Sequence, residues 1–286
     1  MNKAFLLGTM IIVPFFVFFK NAKSQVLNGV YIAHTTDERK PIPYQFLREA
    51  DVMWSKMVTR RINLTEKINL PLYYPTEEIE GRKSLIQLIM WGIKNKSLTA
   101  FASDDFTTQY SVSEIEERLG AGKDSTEVLD VNGDPTGKYS LFLVKPALSE
   151  VKELMVKEMW FFDKQRSVME VRVVGLCPIR IYQKDVSGTD LDLAGKMTQK
   201  LAFWIYYPEA RNIFANQPVF NQYNQAEQRS FDDIFFKRIF SGYIFKESNV
   251  YNNRSITDYT TGLEVILESE RVKEKIFEFE HDLWEF

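Results

Sequence analysis

The chain has 286 residues, with 36 Lys and Arg against 39 Asp and Glu, two histidines, one cysteine and 14% aromatic residues. A formal net charge of −3 argues against a nucleic-acid partner, which calls for a basic surplus. The lone Cys177 excludes an internal disulfide framework, and the length suits one large domain or two small ones.

The N-terminus reads as an export signal. Lys3 precedes an almost unbroken apolar run from Ala4 to Phe19, and Ala22-Lys23-Ser24 places small residues where a signal peptidase reads them. Cleavage is expected between Ser24 and Gln25. The rival reading is an uncleaved anchor, but a run of about 16 residues is short of the roughly 20 that span a bilayer. No Cys lies near the site, so the chain is not itself expected to be a lipoprotein. Residues 25–286 hold 33 basic and 39 acidic residues, a net of −6. They are expected in solution beyond the inner membrane.

Residues 25–44 lack a strong period and read as an extended arm. From Gln45 to Ile62 the spacing predicts a helix, with Phe46, Ala50, Met53 and Met57 on one stripe flanked by Leu47, Trp54 and Val58. Thr65 is expected to cap one more turn before Pro71 stops it. A second helix is predicted within 76–97, with Leu85, Leu88, Ile89 and Ile93 at helical spacing. Short strands follow in 98–111 around Asp104-Asp105, then a short helix at 113–119. Residues 120–138 read as loop, since GAGKDS and NGDPTG are turn chemistry.

Strands dominate next. YSLFLVKP is one. Glu153–Phe162 and Ser167–Leu176 form a hairpin around DKQR, with Leu154, Val156, Trp160 and Phe162 on one face and Met169, Val171 and Val173 on the other arm's matching face. Residues 184–199 read as a polar loop, 201–207 as a buried strand ended by Pro208, and 209–229 as a helical turn with an Asn- and Gln-rich loop. SFDDIFFKRIF opens as a helix capped by Ser230, with Asp232 and Asp233 at the positive end of its dipole. The last helix, about Gly262 to Phe279, has two apolar stripes. Leu263, Ile266, Leu267, Phe277 and Trp284 form one; Val265, Val272, Ile276, Phe279 and Leu283 lie nearly opposite. A helix apolar on two sides needs two surfaces to cover it, within the chain or on another subunit. Helices and strands mix without regular alternation, so the fold class is α+β: mixed helices and antiparallel strands with a long C-terminal helix. The organisation is 1–24 signal peptide, 25–44 extended arm and 45–286 α+β domain.

Catalytic equipment is sparse. Neither His34 nor His281 has a His or Cys at ligand spacing, so a zinc site is not expected. His281, between Glu280 and Asp282, is expected to be a partly buried structural imidazole. Cys177 sits in the apolar run VVGLCPI and reads as a buried, inert thiol. DVNGDPTG places Asp130, Asn132 and Asp134 like a calcium loop, but Pro135 and Leu141 replace the Gly and Glu the loop requires. GAGK lacks Walker spacing. No cofactor is expected. What remains is aromatic and basic surface, as in MWSKMVTRR, WFFDKQR and IFFKRIF, the combination protein interfaces use as anchors. Candidate partner-facing residues are Trp54, Tyr73, Tyr74, Trp160 and Trp284.

The stretches DVMWSK, EKINLPLYYP, FDKQRSVMEVR, FWIYYPEAR, SFDDIFFKR, YIFKESNVYNNR, LESERVKEKIF and EHDLWEF resemble the gliding motility protein family GldN, called PorN in non-gliding relatives. The resemblance implies a periplasmic component of the type IX secretion system. It would associate in a ring with the lipoprotein GldK (PorK) under the outer membrane and contact the periplasmic part of the motor component GldM (PorM). No catalytic residue carries over. The competing readings are an envelope-polymer hydrolase and a peptidoglycan- or carbohydrate-binding module.

Overall fold

The computed structural model describes residues 39–79, 81–129, 135–183, 197–224 and 227–283. The expected signal peptide with its cleavage site at Ser24 and Gln25, and His34, Asp130–Asp134 and Trp284, lie outside the described residues. In chain order the elements are β1 (Val52–Asn63), α1 (Leu70–Tyr73), α2 (Leu85–Lys94), β2 (Ala100–Phe101), α3 (Val112–Arg118), β3 (Gly122–Leu129) and β4 (Pro135–Val144). Then come β5 (Val151–Asp163), β6 (Val168–Gln183), β7 (Met197–Leu201), β8 (Trp204–Tyr206), α4 (Tyr207–Asn216), β9 (Pro218–Val219), β10 (Arg229–Ser230), α5 (Phe231–Phe236), β11 (Tyr243–Glu247) and α6 (Leu263–Asp282).

The frame is a seven-stranded antiparallel sheet in the order β11-β1-β5-β6-β8-β2, with β7 also paired to β6. The long β5–β6 hairpin forms as its sequence predicts, turning at Lys164–Ser167. Register puts Trp54, Val58 and Ile62 on one face of β1, opposite Phe162, Glu158 and Leu154 of β5. That face builds two cores. Ile62 and Leu154 join the larger one, with Leu72, Leu85, Ile89, Tyr207, Phe214, Phe231 and Phe235 from α1, α2, α4 and α5. Val58 joins the smaller one, with Ile244 and, from α6, Val265, Val272 and Ile276. The opposite sheet face has a third cluster of Met155, Cys177, Ile179 and Trp204. The α+β class with a long terminal helix is what the fold shows.

Four local expectations are corrected. The segment 45–62 is not a helix: β1 runs from Val52 to Asn63, and Phe46 and Met53 of the proposed stripe are 90% and 58% exposed. The apolar spacing is helical, but pairing to β11 on one side and β5 on the other imposes the strand. Thr65 does not cap a helix; its N–H and hydroxyl turn back to Asn63 Oδ1 at 2.9 and 2.7 Å. Pro71 lies in the first turn of α1 rather than after it, where its missing N–H costs no hydrogen bond. Finally, much of 120–138 is strand, because β3 pairs along β4 from Gly122 to Leu129. The apolar run in β4 needs a partner, and turn residues at both ends of β3 do not prevent it from supplying one.

The capped helices follow their sequence signals. Ser84, Ser111 and Ser230 each accept from the third residue's N–H, and Gln87, Glu114 and Asp233 each accept in return from the cap's own N–H. The helix within 76–97 is the ten-residue α2, with Leu85, Leu88, Ile89 and Ile93 all buried. The helical turn expected after Pro208 is the ten-residue α4, with Pro208 inside its first turn.

Candidate interaction surfaces

The chain just before β1 is strapped to the body by cations. Arg39 pairs with Asp233 at 3.0 Å. Arg211 Nη2 donates to the Ile42 carbonyl at 2.6 Å, and Arg172 Nη2 to the Gln45 carbonyl at 2.9 Å. Tyr44 lies between those two guanidiniums, 4.2 Å from Arg211 and 4.9 Å from Arg172, and its ring stacks on Phe236. Burial raises the Tyr44 pKa, and the two arginines only partly offset this.

Below the strap is a buried polar cluster. Asp232 accepts from Arg211 and from the Tyr207 hydroxyl at 2.8 Å. Asp232 sits in the first turn of α5 as expected, and its ion pair also ties α5 to α4. A second cluster surrounds Glu158, which is fully buried in β5. Its carboxylate accepts from Trp160 Nε1 at 3.1 Å and lies 3.1 Å from Arg238 and 3.6 Å from Arg60. Burial pulls the Arg60 pKa down, Glu158 resists that shift, and Arg238 adds to it. The Asp232 cluster is closed by hydrogen bonds, whereas around Glu158 the buried Glu158 Oε1, Arg60 Nε and Arg238 Nη1 make ion-pair contacts without a hydrogen-bond partner. Cys177 is likewise buried, its thiol pushed up to about 12 by desolvation. Among the described residues no group of three or more His, Cys, Asp and Glu is arranged to hold a metal ion.

Two apolar surfaces stand open among the described residues. The first is on α6. Gly262 precedes it at a φ of 61°, which glycine adopts without Cβ strain. One stripe of α6 packs on β1 and β11, and Phe279 stacks on Trp54 at 4.9 Å. The other is open: Leu263, Ile266, Leu267 and Phe277 are 70%, 51%, 58% and 65% exposed. His281 is exposed beside Phe277 rather than partly buried.

The second surface is a groove of about 460 Å³ where α1 and its following turn meet β9. Leu70, Pro71, Tyr74, Pro75, Ile79 and Phe220 supply its apolar lining; Lys67, Arg82 and Lys83 supply its charge. Arg82 lies over the Phe220 ring at 5.4 Å, and Lys83 pairs loosely with Glu78 at 3.5 Å. Among the described residues no acidic side chain lines it.

The five interface candidates are thus distributed unevenly. Trp54 and Trp160 are half-buried and hold α6 and Arg238 against the sheet. Tyr73 donates its hydroxyl to the Ser149 carbonyl at 2.8 Å and meets Tyr74 edge-on. Tyr74 alone of the four described faces solvent, at the groove mouth. Phe220 and the basic rim were missed in the sequence; their only signal was Pro218 two residues before Phe220, which does not reveal a distant neighbour.

Among the described residues no helix is long and apolar enough to cross a membrane. No curated protein matches the chain. The sequence does match the family described as gliding motility associated protein GldN, over residues 47–285. That match covers the whole sheet and α6, so the chain belongs to the GldN family, a gliding motility component of the type IX secretion system.

Proposed function

We propose that the chain is a non-catalytic structural subunit in the periplasm. It joins a GldK-type (PorK) outer-membrane lipoprotein in a ring beneath the outer membrane and couples that ring to the GldM-type (PorM) motor component for secretion and gliding. Family membership supports the system. The observation that carries the subunit role is the open apolar stripe of α6, since contiguous exposed apolar surface on a folded chain marks a contact site. The test is affinity purification of the tagged chain from solubilised envelopes, with partners and particle size measured together. Co-elution with the lipoprotein and the motor component in a large particle is expected. A chain recovered alone from cells that still secrete and glide overturns the reading.

A further inference from the structure

The two uncovered surfaces complement each other. The α6 stripe is apolar with acids set into it: Glu270 and Glu274 fall between Leu267 and Phe277 on the same helical face. Over its length α6 has seven acidic residues against Arg271, Lys273 and Lys275. The groove is apolar with cations at its rim. Its volume lies within the roughly 300–1,000 Å³ of specific ligand sites. The surfaces share no residue and rest on different cores, the groove on the larger one and α6 on the smaller.

We infer that α6 of one copy docks in the groove of a second copy. Leu267 and Phe277 enter between Tyr74 and Phe220, and Glu270 and Glu274 face Lys67 and Lys83. Such a contact is heterologous, one face of a subunit meeting a different face of the next. It therefore propagates, closing into a ring if the rotation allows and running on as a filament if it does not. The surface ion pair between Glu270 and Lys273, 3.2 Å apart with both ends more than half exposed, does not block this, because exposed pairs of that kind contribute little. This inference deepens the proposed ring by specifying the contact between its copies, but its test needs neither the lipoprotein nor the motor.

The test uses the purified exported chain in sedimentation velocity. A groove variant has Lys67→Glu and Lys83→Glu; a helix variant has Glu270→Lys and Glu274→Lys. Lys67, Glu270 and Glu274 are exposed and Lys83 is partly exposed, and an unchanged melting temperature confirms that each variant folds. The parent should self-associate with concentration, more weakly at high salt. Each variant alone should associate at least tenfold more weakly. Mixed one to one, they should regain association as an alternating assembly, since the native helix of the first fits the native groove of the second and the charge-swapped helix of the second fits the charge-swapped groove of the first. Combining all four changes in one chain should restore association.

Three results overturn the inference: a parent that stays monomeric up to ~1 mM, the weak end of specific association; variants that associate like the parent; or a mixture that regains no association. If the groove variant self-associates normally but loses the lipoprotein, the groove's occupant is the lipoprotein and the second-copy assignment is wrong. If the parent stays monomeric yet still captures the lipoprotein, only the contact between copies fails and the proposed function stands.

Discussion

Arg211 and Asp232 meet as a two-pronged fork, Nε 2.9 Å from Oδ1 and Nη2 3.0 Å from Oδ2, with both side chains almost closed off from solvent. Burial opposes the charge on Arg211, but the Asp232 carboxylate outweighs it and the guanidinium pKa is raised. The pair joins α4 to α5, and through the Ile42 carbonyl it also holds the incoming chain. Asp232→Ala leaves a buried cation unpaired, and a loss of about 3–5 kcal/mol is expected in urea unfolding. Replacing both, with Arg211→Met and Asp232→Leu, should cost much less. A cost within ~1 kcal/mol for the single change would remove the pair from the stability argument.

Trp54 is the main aromatic tie between the sheet and α6. Truncation to Ala should cost about 3 kcal/mol, the low end for aromatic core residues, since the ring is only half-buried. Amide hydrogen exchange locates the loss: α6 amides should exchange faster while those of α2 keep their protection. Uniform acceleration in both helices would mean that Trp54 supports the whole sheet rather than this helix.

The turn of the long hairpin should be acid-sensitive. Asp163 accepts from Arg166 Nε at 2.7 Å and from the Gln165 N–H at 2.9 Å. The Arg166 bond is the main cause holding its carboxyl below the usual range, and Glu170 is lowered the same way. A folded pKa below the unfolded one gives stability that is present above the unfolded pKa of about 4 and lost as pH falls through the folded value. The melting-temperature gap between the parent and Asp163→Asn should therefore be constant near neutrality and shrink below about pH 4. A gap independent of pH would show that the charge does not matter there.

Cys177 should be silent. Burial holds its thiol at about 12, so at pH 8 its thiolate fraction is roughly 10³-fold below that of an exposed cysteine. Iodoacetamide should label it only after unfolding. Because the folded pKa lies above the unfolded one, the thiol's contribution is complete below about pH 8.5 and is lost as pH rises toward 12. The parent should accordingly lose stability relative to Cys177→Ala above about pH 8.5. Rapid labelling of the folded chain would contradict the burial.

Much of this was legible locally. The Ser-x-x-Gln, Ser-x-x-Glu and Ser-x-x-Asp caps at Ser84, Ser111 and Ser230 signal helix starts because their partners are three residues away, and all three form. The DKQR hairpin was legible for the same reason. Residues 45–62 were not. Met53, Trp54, Met57 and Val58 have helical spacing, whereas in β1 Trp54 and Val58 take one face and Met53 and Met57 the other; the partners that impose the strand lie about a hundred residues on in β5 and nearly two hundred on in β11. The groove was illegible for that reason too, since Tyr74 and Phe220 meet only after α1 and β9 pack.

Local chemistry in the chain itself settled the lack of catalytic motifs, the strand–turn–strand rhythm after Val151, and the two apolar faces of the last helix. Those properties depend on side chains within a few residues of one another. Tertiary packing alone decided which α6 face is buried against Trp54 and Ile244, which aromatic residues are spent inside, and where Lys67, Arg82 and Lys83 converge on a groove. Burial is a property of pairs, and the members of these pairs are far apart along the chain.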